Sequence, residues 1–548
     1  LEVRPLSQLP DSADLDTAFR RGRITRAQFI GGLAALGFTA SAMDLIAGCG
    51  TAHVADPATS GLSLCLITID GFRPDYLDLA AMPALRSLME GGTSFSRAWV
   101  GQLQSETPVS HATLSTGAFP SHNGIIGFEW RDPVSRRELL DGWEQGSLLG
   151  QVGRDMHYVG HASLPGAIKE ANPEAVVVAV SSEKVYAADA MGAHVADYIL
   201  FHRFSKHYLL PSALRGQAPA RSFLQNPSLA LALPLRTLHD WDDLSRRLAL
   251  AAFAAFAPRA LMVNLPGTDV YGHAYGGPAS PQVMATVAAG QDRAIGALVR
   301  AYRDAGRLDR TLFVIAGDHG MIPNHRYVGP DAVRAAVERG GARYLFHTGG
   351  TAKYIYLQDR YRNRAGAVAR EMLRLDGVAA AYYRVSGGYE PVNNPIDRQL
   401  DEAYLYLTHT FQGPSAPDVV AAYRENTIGT VIPSAYGNHG GLSWGVQHVP
   451  LIFSGPGVRT GHTSGAPARM VDVAPTIARL LDLNLPHSDG VVLADAVRHS
   501  TAAEVLAQDR AHASLARLQD ALRGQTETDL DDDRRNGITA PPRKLIIP

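Results

Sequence analysis

Five short apolar runs constrain this chain more than any other feature, because each is dense in β-favouring residues and lacks polar alternation. They are LSLCLITID (62–70), VVVAVSS (176–182), ALMVNLP (260–266), TLFVIAGDHG (311–320) and HVPLIFSG (448–455). A strand apolar on both sides is buried on both faces, which is the condition of a parallel sheet covered by helices. Helical patterns lie between several of the runs, notably DWDDLSRRLALAAFAAFA, PQVMATVAAGQDRAIGALVRAYRDAG and MVDVAPTIARLLDL. The alternation predicts an α/β fold: a doubly wound, mostly parallel sheet sandwiched by helices.

Two stretches fit the alternation poorly. Residues 183–240 mix aromatic, basic and Pro/Gly residues, and residues 345–430 read as strand, helix, strand and a Pro/Asn-rich loop. Both are expected to be insertions in one large domain spanning 50–523, the second forming an α+β cap. Residues 524–548, with DLDDDRR and APPRK, read as a polar, solvated C-terminal extension. A net charge of -2 gives no global field to attract nucleic acid. Only two cysteines occur, so a disulfide framework is excluded.

The N-terminal region carries Arg20, Arg21, Arg23 and Arg26, then a moderately apolar run, then LIAGC ending at Cys49. That is the order of an export signal, and the run is too short and interrupted for a span of about 20 residues. ITRAQFI resembles a twin-arginine motif with Ala27 in place of the second arginine, and LIAGC resembles a lipoprotein cleavage box. Residues 1–49 are therefore expected to direct the protein to the periplasm or cell surface, with possible membrane attachment through a lipidated Cys49.

Five segments place an Asp, His or hydroxyl residue near the end of a strand, and ligands bind at the carboxyl ends of strands in open α/β sheets. Asp70 closes the first run. Thr107 opens a short helix containing His111, where free N–H groups and the helix dipole would stabilise a bound phosphate; Ser105 and Ser110 are rival nucleophiles that spacing does not exclude. Asp269 and His273, four apart, share one face of a helical turn. Asp318 and His319 follow a strand between glycines, and His439 lies in a glycine-rich loop, with His448 a competing ligand. Mixed carboxylate and imidazole donors favour zinc or a similar transition metal over magnesium or calcium.

Taken in order, these segments resemble the type I phosphodiesterase and nucleotide pyrophosphatase family of the alkaline phosphatase superfamily. The resemblance implies a site for two Zn2+ ions, one held by Asp70, Thr107, Asp318 and His319, the other by Asp269, His273 and His439. It also implies that Thr107 is the nucleophile and that a small phosphate or phosphonate ester is cleaved through a phospho-threonine intermediate. Pro108, Val109 and Ser110 stand where nucleotide pyrophosphatases have Phe-Pro-Asn, and Phe128 stands where they have a phosphate-binding Asn. Neither change keeps the base-stacking ring or the amide donor that a nucleotide would use. A sulfatase is disfavoured by the lack of a Cys/Ser-x-Pro-x-Arg motif near Thr107. A terminal phosphate dianion calls for additional Lys or Arg; His202, Arg203, Lys206 and Arg221 are the candidates in the first insertion. A non-catalytic surface binding protein is the alternative from another class. The sequence implies no oligomeric state.

Overall fold

The computed structural model describes residues 61–132, 138–140, 162–205, 207–214, 218–429 and 436–539; the expected export signal, Cys49, Lys206 and residues 540–548 lie outside them. Within the described residues the main sheet has ten strands: β1 (Ser63–Ile69), β2 (Gly92–Phe95), β3 (Val177–Val180), β4 (Tyr198–Phe204), β5 (Tyr208–Ala213), β6 (Leu231–Ala232), β7 (Ala260–Leu265), β8 (Thr311–Gly317), β9 (Leu451–Ser454) and β10 (His462–Ser464). Across the sheet they run β10-β2-β9-β8-β1-β7-β3-β4-β5-β6. The five central strands from β8 to β4 are parallel. The last of the apolar runs departs from this pattern, since β9 is antiparallel to both β8 and β2.

Alternate residues of the central strands feed two separate cores. In β1, Leu64 and Leu66 enter one, with Ile168 and Ile477 from covering helices, while Cys65, Ile67 and Ile69 enter the other. The second core is closed by helices that carry the expected patterns, α3 (Asp240–Phe256) and α5 (Pro281–Asp304), through Leu244, Leu248, Val287 and Ile295. The other helices that matter for the site are α1 (Thr107–Thr116), α2 (Val185–Gly192) and α4 (Gly267–Tyr275). Burial on both faces explains the absence of polar alternation in these strands.

Residues 183–240 do not fold apart: they supply α2 and then β4, β5 and β6, which extend the edge of the same sheet. Residues 344–423 do form their own five-stranded antiparallel sheet. Its strand Ala352–Leu357 sends Tyr354 and Tyr356 toward α6 (Arg398–His409) and Ile355 and Leu357 toward the helix Ala365–Met372.

The acidic run expected to be a solvated extension is instead helical and docked. It lies in α7 (Leu515–Arg535), where Asp529 and Asp533 are buried. Asp533 meets His325 at 2.8 Å and pairs with Arg326, while Asp529 accepts the Glu425 N–H at 2.9 Å. These partners are remote in sequence, so composition alone gives the opposite reading. No helix among the described residues is long and apolar enough to cross a membrane. Replacing Asp533 by Ala would leave the Arg326 guanidinium without its buried partner, and we expect a loss of about 3 kcal/mol in denaturant unfolding, with faster proteolysis near α7.

Candidate active site

The carboxyl ends of β1, β7 and β8 bring three aspartates together. Asp70 follows β1, Asp269 lies in the first turn of α4 just after β7, and Asp318 follows β8. All three are buried. The turn after β1 needs Gly71: its φ is +67°, and a Cβ there would lie 2.8 Å from the Asp269 Cα. Its N–H donates to Asp318 Oδ1 at 3.0 Å, which ties the ends of β1 and β8 together.

Three histidines complete the cluster. His319 Nε2 lies 3.5 Å from Asp70 Oδ1 and 3.4 Å from Asp318 Oδ2. His273 Nε2 and His439 Nε2 lie 3.3 Å and 3.2 Å from Asp269 Oδ1. The His319 and His439 rings stack at 3.5 Å between centroids. In each ring the other nitrogen faces a backbone carbonyl: Nδ1–H of His319 donates to Gly320 O at 2.9 Å, that of His273 to Gly437 O at 2.9 Å, and that of His439 to Ser105 O at 3.2 Å. A carbonyl can only accept, so Nδ1 carries a proton and Nε2 is the nitrogen turned to the carboxylates, the one whose lone pair a cation would take from the neutral ring.

Asp269 Oδ1 and Asp318 Oδ2 have no hydrogen-bond donor although both are buried. Burial pushes the Asp318 carboxyl well above the carboxylate range, and the Asp70 charge adds to this. Burial also drives the His319 imidazole well below its ordinary value. For Asp269 burial acts upward, but Lys184 and His273 outweigh it and hold the group well below the usual range. The donor sets Asp269/His273/His439 and Asp70/Asp269/His319 each converge within the span of one cation. The residues present thus fit metal ions, with Nε2 lone pairs and carboxylate oxygens as donors.

Thr107 is the first residue of α1, with Pro108 next, where the missing N–H costs nothing. Its Oγ1 lies 3.3 Å from His319 Nε2 and 3.5 Å from Asp70 Oδ1. The rival serines are placed differently. Ser105 Oγ donates to Gly441 O at 2.9 Å, and Ser110 Oγ is buried without a partner, so neither hydroxyl is bonded to the cluster. His448 is also separate, with Nε2 at 3.1 Å from Ser96 O and its ring stacked on Trp444. His202 is buried against Leu229 O at the sheet edge, while Arg203 and Arg221 are exposed.

His111 lies near Asp70 and Asp318, yet it is not free to act as a ligand. Its Nδ1–H donates to Thr107 O at 2.7 Å and its Nε2 accepts from Asn264 Nδ2 at 3.1 Å. It braces the Thr107 turn instead.

Two members of the site stand outside the motifs legible in the sequence. Asn264, inside β7, also donates to Asp70 Oδ2 at 2.8 Å and accepts from Ser181 Oγ at 3.0 Å. Lys184 brings its ammonium to 3.0 Å from Asp70 and 2.5 Å from Asp269. Burial acts to lower the Lys184 pKa, but Asp269 and Asp70 prevail and raise it well above the ordinary value. The available signals were a polar residue inside an apolar run and a lysine just beyond VVVAVSS.

The match to the type I phosphodiesterase / nucleotide pyrophosphatase family model runs from residue 64 to 430, and the chain belongs to that family. It stands among the phosphodiesterases and phosphatases of the alkaline phosphatase superfamily. Alkaline phosphatase PhoD of Zymomonas mobilis is 23% identical over 514 residues, covering 79% of this chain and 87% of that protein. Alkaline phosphatase PhoK of a Sphingomonas species is 29% identical over 171 residues, 30% of each chain. Among solved structures, wild-type alkaline phosphatase PafA superposes with a TM-score of 0.64 at 16% identity, covering 81% of this chain and all of that one. Murine ectonucleotide pyrophosphatase/phosphodiesterase 5 superposes at 0.55 with 17% identity, covering 78% and 97%.

Burial holds His111 down to about 4, against an ordinary 6.5. The unfolded chain therefore takes up this proton between pH 6.5 and 4 while the folded chain does not, and the group contributes destabilisation as pH falls through that window. Equilibrium unfolding of the metal-free protein should lose up to about 1.4 kcal/mol per pH unit from this group. The slope should be shallower by that component in His111→Gln.

Proposed function

We propose that this protein hydrolyses phosphate esters, with monoesters preferred, by transferring the phosphoryl group to Thr107 and then to water at a site for two zinc ions. The observation that carries the reading is the shared orientation of His273, His319 and His439, each with Nδ1–H spent on a carbonyl and Nε2 turned toward carboxylates. Asp70, Asp318 and His319 would hold one ion beside the Thr107 oxygen, and Asp269, His273 and His439 the other. When bound, two such ions supply Lewis-acid charge for an in-line displacement at phosphorus.

The chain's own groups do the rest. Thr107 Oγ1 loses its proton and bonds to phosphorus as the ester's alcohol leaves, and water then attacks phospho-Thr107, releasing inorganic phosphate and restoring the hydroxyl. The first turn of α1 offers N–H groups and the positive end of its dipole to the phosphoryl oxygens. His111 and Asn264 fix the Thr107 turn and Asp70 with respect to each other.

Lys184 supports the preference for monoesters. Its ammonium sits within the carboxylate cluster rather than on a solvated face, and a terminal phosphate carries one more negative charge than a diester. Among the described residues it meets the requirement for an added cation that His202, Arg203 and Arg221 do not meet. An exported location follows the N-terminal pattern and is part of the same proposal.

Hydrolysis of p-nitrophenyl phosphate and bis-p-nitrophenyl phosphate by zinc-loaded protein tests the reading. We expect the monoester to be faster, Thr107→Ala to abolish both activities with zinc retained, and Lys184→Ala to reduce monoester kcat/KM by roughly a hundredfold and the diester value by much less. Faster diester turnover, little affected by Lys184→Ala, would assign a phosphodiesterase; unchanged turnover in Thr107→Ala would remove the nucleophile assignment.

A further inference from the structure

Beside the cluster, where the family resemblance leads one to expect an amide donor, the chain has an aromatic pair. The Phe128 and Tyr186 rings meet edge to face with centroids 5.1 Å apart and an interplanar angle of 84°. Both side chains are half-buried. Each is anchored next to a reacting group. The Phe128 N–H donates to Glu106 Oε2 at 3.4 Å, and Glu106 is the buried residue immediately before Thr107. Tyr186 lies two residues after Lys184, on α2, and α2 packs directly against α1. Lys184, Glu183, Asp70 and Asp269 are the charged groups whose fields reach the Tyr186 phenol.

A benzyl side chain can neither donate to a phosphoryl oxygen nor solvate a polyol. It offers apolar area and a ring edge or face, and aromatic pairs favour further offset or edge-to-face contacts. Charged and polar recognition of the phosphoryl group therefore falls to Lys184 and the cluster, and what Phe128 offers a bound ester is contact with its apolar part. Resting on the phosphomonoesterase reading above, we infer that the Phe128–Tyr186 pair is a leaving-group wall that selects monoesters of aromatic or otherwise apolar alcohols over those of small, hydrophilic ones.

The test compares 2-phenylethyl phosphate with ethyl phosphate, two primary alkyl esters of similar intrinsic reactivity, using zinc-loaded protein. The expected kcat/KM ratio is at least about tenfold in favour of the phenyl ester, the scale of discrimination available to an apolar contact. The ratio should fall several-fold in Phe128→Ala and less in Phe128→Leu, which keeps apolar volume without the ring. Calorimetric binding of phenylphosphonate against methylphosphonate should show the same ordering without turnover. A wild-type ratio near one, or a ratio unmoved by both substitutions, would overturn the wall while p-nitrophenyl phosphate turnover left the underlying activity standing. Absence of turnover of every ester would instead overturn the phosphomonoesterase reading, and this inference with it.

Discussion

Three buried Asp carboxyl groups and the Nε2 atoms of three histidines converge on one small volume, and the surrounding structure is arranged around that crowding. Like charges a few ångströms apart in a low-dielectric interior repel strongly. The chain offsets the repulsion where it can: Gly71 N–H and His319 N–H both donate to Asp318, Asn264 donates to Asp70, and Lys184 bridges Asp70 and Asp269. It leaves Asp269 Oδ1 and Asp318 Oδ2 without donors. Oxygens buried in that condition are tolerated where a cation is to be bound, and they are otherwise rare.

Such an arrangement needs a stiff platform, and the parallel core provides one. β1, β7 and β8 are adjacent and in continuous register, so the ends that carry Asp70, Asp269 and Asp318 cannot shift independently. His439 belongs to a loop and depends on the second sheet. Tyr354 donates from that sheet to Gly440 O at 2.6 Å, and Thr351 N–H donates to His439 O at 3.0 Å. Gly350 allows the approach, since a Cβ there would lie 2.5 Å from His439 O. The inserted sheet thus has a mechanical role at the site: it holds the last of the six converging side chains against a core whose strand ends and helix α4 supply the others.

What was legible in the sequence followed local physics. Asp70 and Asp318 end apolar runs, and Asp269 and His273 have helical spacing, so their positions could be read from pattern. Thr107 could not be separated from Ser105 and Ser110 by spacing, because the distinction lies in where each hydroxyl points, and Ser105 turns away to Gly441. Asn264 hides inside an apolar run, and its role appears only when β1, β7 and α1 are brought together. Lys184 fell in a stretch whose composition hid its continuity with the main sheet. Long-range compensation also explains the acidic end of α7, since Asp533 is buried only because His325 and Arg326 come to meet it.

The most direct test of the central claim is crystallographic: anomalous diffraction above and below the zinc edge from zinc-loaded crystals of the full chain. Two zinc peaks about 4 Å apart are expected, one against Asp70, Asp318 and His319 and the other against Asp269, His273 and His439. A single peak, or peaks bound elsewhere with these six side chains uncoordinated, would contradict that claim.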